Sequence, residues 1–262
     1  MSYSGDANFT GSNKNATFEV SKINPGMTVN VGNTTYGNNA TVIVTMDARG
    51  NGTVTITVNG QTYTQTIKNG IVILPISGLG AGVYKVTVSY DGDGNFTAAS
   101  AETEFTVSAI NPGMNVGVGN ITYGANATVT VTANDKLTGK VNVTVNGITH
   151  EVDVVNGKGT LVVSGLNAGS YTVTVSYAGN DNFTAATASA DFIVAQITPD
   201  VTVDVANITY GANATVTVTV SNKVTGKVNV TVNGATYEVD VVNGKGTLVV
   251  SGLAAGDYTV SV

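Results

Sequence analysis

The residues in this chain that could do chemistry are few. His150 is the only histidine, and cysteine is absent. Glu151 and Asp153 lie two residues apart, as do Glu238 and Asp240, and a carboxylate pair on one strand face could hold a cation. A lone histidine with no nucleophile motif beside it has no geometric support for acid–base catalysis. We therefore interpret His150 as a packing or edge residue and predict no catalytic residue.

The acidic pairs and the acidic loops have simpler explanations than metal binding. The first part of the chain has Thr64 and Thr66 where the pairs stand, so the carboxylates are not intrinsic to the fold. Charges on a solvated strand discourage edge-to-edge aggregation. The loops Asp91–Asn95 and Asn180–Asn182 lack the bidentate glutamate and the spaced carboxylates of a calcium site, and turn chemistry accounts for them. We expect no bound metal and no cofactor.

Composition narrows the classes of partner and activity. The 262 residues carry 11 Lys and Arg against 17 Asp and Glu, a formal net charge of −6. Nucleic acid and anionic lipid need clustered basic side chains, so neither is an expected partner. No stretch approaches the roughly 20 apolar residues of a membrane span, so we expect no membrane insertion in this segment. Nucleophile-elbow, phosphate-loop and zinc-ligand spacings are missing too, so no enzyme is predicted.

A sequence unit of 87 residues is repeated three times along the chain. Between Gly139–Val173 and Gly226–Val260 only four of 35 positions differ. A specific ligand site would need one unit to depart from its neighbours, so the repetition favours length over recognition. The 87-residue period is defined by prolines and tyrosines that recur at this spacing, which rarely happens by chance. These are Pro25, Pro112 and Pro199, and Tyr84, Tyr171 and Tyr258.

The hydrophobic period within a unit is two, which is typical of strands with one buried face. Val141, Val143 and Val145 alternate with polar residues, and Asn146-Gly147 supplies the turn that follows. Seven short strands in under 90 residues predict an all-β fold of two packed sheets. In the second unit we expect strands near 114–122, 126–133, 140–146, 149–155, 158–164, 170–177 and 187–194.

Two motifs identify the kind of sandwich. The segment Gly165–Tyr171, with the pattern Gly-Leu-x-Ala-Gly-x-Tyr, resembles the tyrosine corner of immunoglobulin-like folds. The segment Ser2–Thr10, with the pattern Ser-Tyr-x-Gly-Asp-x-Asn-Phe-Thr, recurs at Ser89–Thr97 and, with Asn180 for the aspartate, at Ser176–Thr184. With these motifs the whole chain resembles the bacterial-type immunoglobulin-like repeats of surface adhesins, particularly the long adhesin-like proteins of methanogenic archaea. The resemblance implies extracellular display at the cell surface and adhesion.

Asparagine sequons recur at the same period as the repeats. Most lie near predicted turns or on the outward face opposite the valine row, where a glycan would meet no packing. We hypothesise that several carry N-glycans if the source cell has the machinery. The candidates are Asn8, Asn33, Asn39, Asn95, Asn120, Asn126, Asn142, Asn182, Asn207, Asn213 and Asn229.

The repeats divide the chain into four predicted segments. Residues 23–109 and 110–196 are two complete immunoglobulin-like repeats, called the first and second repeat below. Residues 197–262, the third repeat, lack a final strand. Residues 1–22, the N-terminal segment, align with the end of a repeat and are expected to complete a neighbouring unit.

The N-terminal segment carries the apolar residues that the third repeat lacks. Phe9, Phe18 and Val20 align with core positions of the other repeats and form the predicted strand-exchange core. Three sandwiches in a row would put this segment about 70–80 Å from the third repeat, over 20 extended residues at about 3.4 Å each. The linker Ser21–Pro25 is too short for that. We expect the strand to complete another molecule by donor-strand exchange, to hang loose, or to belong to a longer parent chain.

Two classes of function follow from this reading. The first is a structural cell-surface protein, an adhesin stalk or filament subunit, whose partners are head-to-tail copies of itself or adjacent repeats of a longer chain. The alternative is a carbohydrate- or cell-binding adhesin module that contacts a host or partner-cell surface through loops such as Asp91–Asn95. Open filaments arise when a heterologous contact does not close.

Overall fold

The computed structural model describes residues 1–221 and 224–262, and these contain β-strands and turns but no helix. Backbone contacts group them into two compact units. One unit comprises residues 1–119, 128–162 and 171–191, and the other comprises 120–127, 163–170 and 192–262. None of the described residues forms a helix long and apolar enough to cross a membrane.

A small hairpin opens the chain, followed by the two sheets of the first repeat. The hairpin pairs β1 (Ser2–Gly5) with β2 (Thr10–Asn13). A three-stranded sheet in the order β3-β5-β8 and a five-stranded sheet in the order β4-β10-β9-β6-β7 follow. Their strands are β3 (Thr28–Val31), β4 (Thr34–Thr35), β5 (Ala40–Thr45), β6 (Thr53–Val58), β7 (Gln61–Thr66), β8 (Ile71–Ile76), β9 (Gly82–Tyr90) and β10 (Ala99–Ser108).

The second repeat has the same pair of sheets. Its orders are β11-β13-β16 and β12-β18-β17-β14-β15. The strands are β11 (Asn115–Val118), β12 (Ile121–Thr122), β13 (Ala127–Thr132), β14 (Gly139–Val145), β15 (Ile148–Val154), β16 (Lys158–Val163), β17 (Gly169–Tyr177) and β18 (Ala186–Ala195). The expected immunoglobulin-like sandwich fold is therefore confirmed.

One predicted strand of the second repeat is two strands. The prediction of a single strand over 114–122 is wrong, because the chain leaves the first sheet at Gly119 and joins the second at Ile121. There Ile121 pairs in parallel with Val194 of the final strand, β18. The short strand β12 therefore forms because it pairs with the final strand.

Alternation along the strands builds the core. In β5, Val42 and Val44 are buried while Thr41 and Ile43 face outward. Valine suits these positions because its branched side chain packs well on a pleated surface. The same alternation in each repeat gives a core made largely of valine.

The turn and corner predictions are confirmed. Asn146 and Gly147 both have positive φ, 50° and 76°, as a type I′ hairpin turn requires. The hydroxyl of Tyr84 donates to the carbonyl of Gly80 at 3.0 Å, and Tyr258 donates to Ala254 at 3.1 Å. These bonds to upstream backbone are the mark of a tyrosine corner.

The third repeat has two three-stranded sheets, in the orders β19-β20-β23 and β22-β21-β24. Its last strand pairs with β21 only through Val232↔Val260 and Thr231↔Ser261. Compared with the first two repeats, the second sheet has no counterpart of β18 or β12 among the described residues. The strands are β19 (Val201–Val205), β20 (Ala214–Val220), β21 (Gly226–Val232), β22 (Ala235–Val241), β23 (Lys245–Val250) and β24 (Val260–Ser261).

Candidate functional site: an open groove and an exposed segment

The N-terminal hairpin has the register of a complete repeat. Tyr3 pairs with Ser12 across β1 and β2, just as Tyr90 pairs with Ala99 across β9 and β10. The carboxylate of Asp6 accepts the backbone N–H groups of Asn8 and Phe9, at 2.8 and 2.9 Å. Because these bonds are local, the turn forms without the rest of a sandwich around it.

Beyond Asn13 the segment makes no strand. A strand continuing to Val20 does not form, because residues 15–20 pair with no strand among the described residues. The apolar side chains are left in solvent: Phe9 is 68% exposed, Phe18 89% and Val20 84%. Large apolar side chains left exposed within one short segment are candidates for an interaction site.

The same positions are core positions in the first repeat. Phe105, the counterpart of Phe18, is 2% exposed, and its ring stacks on that of Tyr84 with centroids 5.6 Å apart. Val107, the counterpart of Val20, is 1% exposed and pairs in parallel with Thr34. The residue types of the N-terminal segment therefore suit a sandwich interior.

The third repeat has an open groove at the equivalent place. The groove has a volume of about 450 Å³, and its lining includes Ile208, Tyr210, Tyr258 and Val260 together with the polar residues Asn207 and Asp257. Ile208 is 41% exposed and Tyr210 83%. This is the region that the final strand covers in the first and second repeats.

The first strand of the third repeat is uncovered as well. Val205 is 39% exposed, whereas Val31, its counterpart in the first repeat, is 7% exposed. Residues 208–209, which correspond to β12, form no strand. In the first repeat the final strand both contacts the first strand and pairs in parallel with the short strand, and the described residues of the third repeat contain no such strand.

Three asparagines mark the edge where the final strand docks. The side-chain oxygen of Asn33 accepts the backbone N–H of Thr106 at 2.8 Å, and that of Asn120 accepts the N–H of Ile193 at 2.8 Å. Asn207 is the counterpart in the third repeat and has no such partner among the described residues. Sequence reasoning identified these residues only as sequons, although their period of 87 already indicated a role in the repeat.

The candidates for chemistry lie apart from the groove. His150 is half-buried on β15, opposite Val143 and at the edge of its sheet. Glu151 forms an ion pair with Lys140, and Glu238 does so with Lys227. The side chains are well exposed, so each pair adds little stability. The described residues contain no group of three side chains suited to hold a metal ion.

In the acidic loops, polar side chains accept hydrogen bonds from the backbone of the same loop. The carboxylate of Asp93 accepts the backbone N–H groups of Asn95 and Phe96, at 2.7 and 2.8 Å. These bonds hold the pKa of Asp93 below its usual value. Asn180 makes the same two bonds in the second repeat, which shows that the position needs an acceptor and no charge.

The predicted glycosylation sites lie mostly at the surface. All of the candidate asparagines are exposed except Asn182, which is half-buried. Its side-chain oxygen accepts the backbone N–H of Ala81 at 2.7 Å. Glycosylation of these residues stays a prediction.

The repeated sheets, the tyrosine corners and the final-strand edge define a class: tandem immunoglobulin-like β-sandwiches. The family can be named more closely. The chain belongs to the family of bacterial Ig-like domains, group 3, whose model matches residues 27–108 and 115–195, more than half of the chain. Domains of this kind are typically structural modules and usually occur in extracellular proteins. No curated protein matches the chain.

Several solved structures match the chain at low identity and low TM-score. The titin domains Z1Z2 in complex with telethonin match with 16% identity, covering 68% of this chain and all of theirs, with a TM-score of 0.40. The fibronectin(III)-like modules of CbhA from Clostridium thermocellum match with 14% identity over 64% of this chain and 94% of theirs, with a TM-score of 0.26. These likenesses concern the fold alone.

Proposed function

We propose that the chain is a structural cell-surface protein, a stalk or filament subunit, whose third repeat is completed by the N-terminal segment of another copy. A following repeat of a longer chain would supply the same contacts covalently. One observation carries the proposal: Phe18 and Val20 are almost fully exposed, while their counterparts are almost fully buried in both complete repeats. The third repeat has an open groove at the place where that strand belongs.

The internal repeats specify the contacts of the inserted strand. Phe18 stacks on Tyr258, as Phe105 stacks on Tyr84. Val20 pairs in parallel with Ile208, as Val194 pairs with Ile121. Burying one such side chain contributes about 1.5–3 kcal/mol, and the backbone ladder of an added strand supplies the rest.

Insertion gives each copy one donor end and one acceptor end. Such a contact is heterologous, and repeated copies form an open filament when the rotation between them does not close. We propose that this filament or stalk extends from the cell surface and presents an adhesin, as the resemblance to methanogen surface proteins implies. Glycans on outward-facing asparagines such as Asn126 and Asn142, which lie outside its lining, would leave the groove accessible, whereas Asn207 lines the groove and must stay unmodified for the strand to dock.

The alternative function is carbohydrate or cell binding through the loops. The carboxylate of Asp93 is occupied by two backbone donors, which leaves Asp91 as the free carboxylate of that loop. Specific binding on a glycan array by the isolated chain would favour this alternative.

Sedimentation velocity over a range of concentrations tests the proposal. The chain should form concentration-dependent head-to-tail species, and Phe18→Asp should abolish them because the substitution removes the ring that stacks on Tyr258 and puts a carboxylate in the same groove as Asp257. Thr17→Asp is the matched control. It adds the same charge one residue away, where the complete repeats have Glu104 and Asp191 facing solvent, so association should persist.

Two results would contradict the proposal. One is a monomer at every concentration with the groove still open. The other is association that Phe18→Asp and Thr17→Asp affect equally.

A further inference from the structure

The joint between the first and second repeats is closed by a loop of the second repeat. The ring of Phe183 meets that of Tyr36 edge to face, with centroids 5.3 Å apart. Beside it, the side-chain oxygen of Asn182 accepts the backbone N–H of Ala81 at 2.7 Å. The contacts are specific, because the two loop residues use a ring and an amide on two different segments of the first repeat.

The linker takes part in the same joint. Ile110 donates its N–H to the carbonyl of Asn182 at 3.1 Å and accepts the N–H of Thr184 at 2.9 Å. This two-bond bridge fixes the linker to the loop that touches the preceding repeat. The loop over residues 182–184 therefore holds the linker and both repeats together.

Among the described residues, no loop seats on the matching surface of the second repeat. Tyr123, Ala168 and Ile197 are the counterparts of Tyr36, Ala81 and Ile110 by the 87-residue period. They line an open pocket of about 590 Å³. Tyr123 is 39% exposed and Ile197 51%.

The loop that would fill this pocket is present at the other end of the chain. Asn8 and Phe9 correspond to Asn182 and Phe183, and Asp6 holds the turn in the same hydrogen-bonded form as Asn180 does. Phe9 is 68% exposed. The loop is thus preformed, and its apolar residue is free to bind.

We propose that the loop Asp6–Phe9 of a second copy seats in this pocket, which rests on the proposed strand exchange. Phe9 meets the ring of Tyr123, Asn8 accepts the N–H of Ala168, and the backbone on either side of Phe9 bridges Ile197. The incoming copy then contacts the second repeat as well as the third. Association of the two copies therefore also closes the joint between the second and third repeats.

One sequence difference between the two joints changes how closely the loop can approach the preceding repeat. Gly80 precedes Ala81 in the first repeat, whereas Asn167 precedes Ala168 in the second. A Cβ at Gly80 would lie 3.1 Å from the side-chain oxygen of Asn182, which is tight. The loop of the second copy must therefore sit a few tenths of an ångström further out.

Tyr123→Ala tests the proposal without touching the groove of the third repeat. An aromatic pair of this kind is worth about 3- to 10-fold in affinity, so head-to-tail association should weaken by about that factor. Tyr36→Ala is the matched control, because it removes the same ring from a joint that the chain closes internally. It should leave association unchanged.

A cysteine pair gives a second measurement that does not depend on the stability of either tyrosine variant. The chain has no cysteine, so any disulfide reports the introduced pair. Asn8→Cys and Ala168→Cys, prepared separately and mixed under mild oxidation, should give a cross-linked species that reducing agent removes. Ala81→Cys with Asn182→Cys in one chain is the positive control at the closed joint.

The outcomes separate this inference from the proposed function. If Phe18→Asp abolishes association, Tyr123→Ala has no effect and the positive control alone forms a disulfide, the loop does not seat in the pocket and the strand exchange stands. If the parent chain does not associate at all, both proposals are wrong.

Discussion

The second and third repeats are nearly identical in sequence through their central strands and differ sharply in how well their cores are covered. In the second repeat, Phe192 and Val194 of β18 are buried and Val116 of the opposite sheet is 6% exposed. In the third, Val201, Val203 and Val205 of the corresponding strand are all exposed. The comparison shows the contribution of the final strand, together with the end of the strand before it. The final strand covers one side of the core and holds in place a short strand that has no other partner.

The tyrosine corner is insensitive to that loss. Tyr258 keeps its bond to Ala254 although the ring that would stack on it is absent from the third repeat. A corner spans only a few residues and is therefore held locally, whereas β12 depends on a partner far along the chain. Local motifs survive in the open repeat, and long-range pairing does not.

The largest expected effect comes from replacing two equivalent phenylalanines by alanine, one buried in the first repeat and one exposed in the N-terminal segment. Phe105→Ala should destabilise the first repeat by about 3–5 kcal/mol, because it opens a cavity in a packed core. Phe18→Ala should leave the unfolding of the dilute chain unchanged, since its ring is 89% exposed. Urea unfolding followed by circular dichroism measures both effects. Equal destabilisation by the two substitutions would contradict the difference in burial between the two rings.

A smaller effect is expected at the strand-docking asparagines. Asn120→Ala removes an acceptor for the N–H of Ile193 and should cost about 1 kcal/mol in the second repeat. Asn207→Ala should cost nothing in the dilute chain and should weaken head-to-tail association several-fold. Asn207→Asp keeps an acceptor and should restore association, which distinguishes the hydrogen bond from any effect of losing the sequon.

The smallest effect is the part of the pH dependence that one turn contributes. Two backbone N–H donors lower the pKa of Asp93 in the folded first repeat, so its contribution is present at neutral pH and is lost as pH falls below about 4. Asp93→Asn should keep the turn, as Asn180 does, and remove this acid sensitivity. Calorimetric scans at neutral and acid pH measure the difference, and an unchanged acid response would mean that other carboxylates dominate.

Much of the architecture could be predicted because it is encoded over short distances. Period-two alternation and Asn-Gly turns located the strands, and the tyrosine corner indicated the kind of sandwich. The break at Gly119 and the docking role of Asn120 were missed, because both depend on a final strand more than 70 residues away. The contact of Asn182 with Ala81 was missed for the same reason, since it joins residues of different repeats.

The sequence by itself determined the number of repeats, the alternation that builds each sheet and the residue types at both ends of the chain. Those properties follow from side-chain chemistry and from turns of a few residues. Only the tertiary structure decided which apolar residues are covered. Phe18 and Phe105 are the same residue in the same pattern, and one is exposed and the other buried because burial needs a second surface, which the fold provides for Phe105 and leaves open for Phe18.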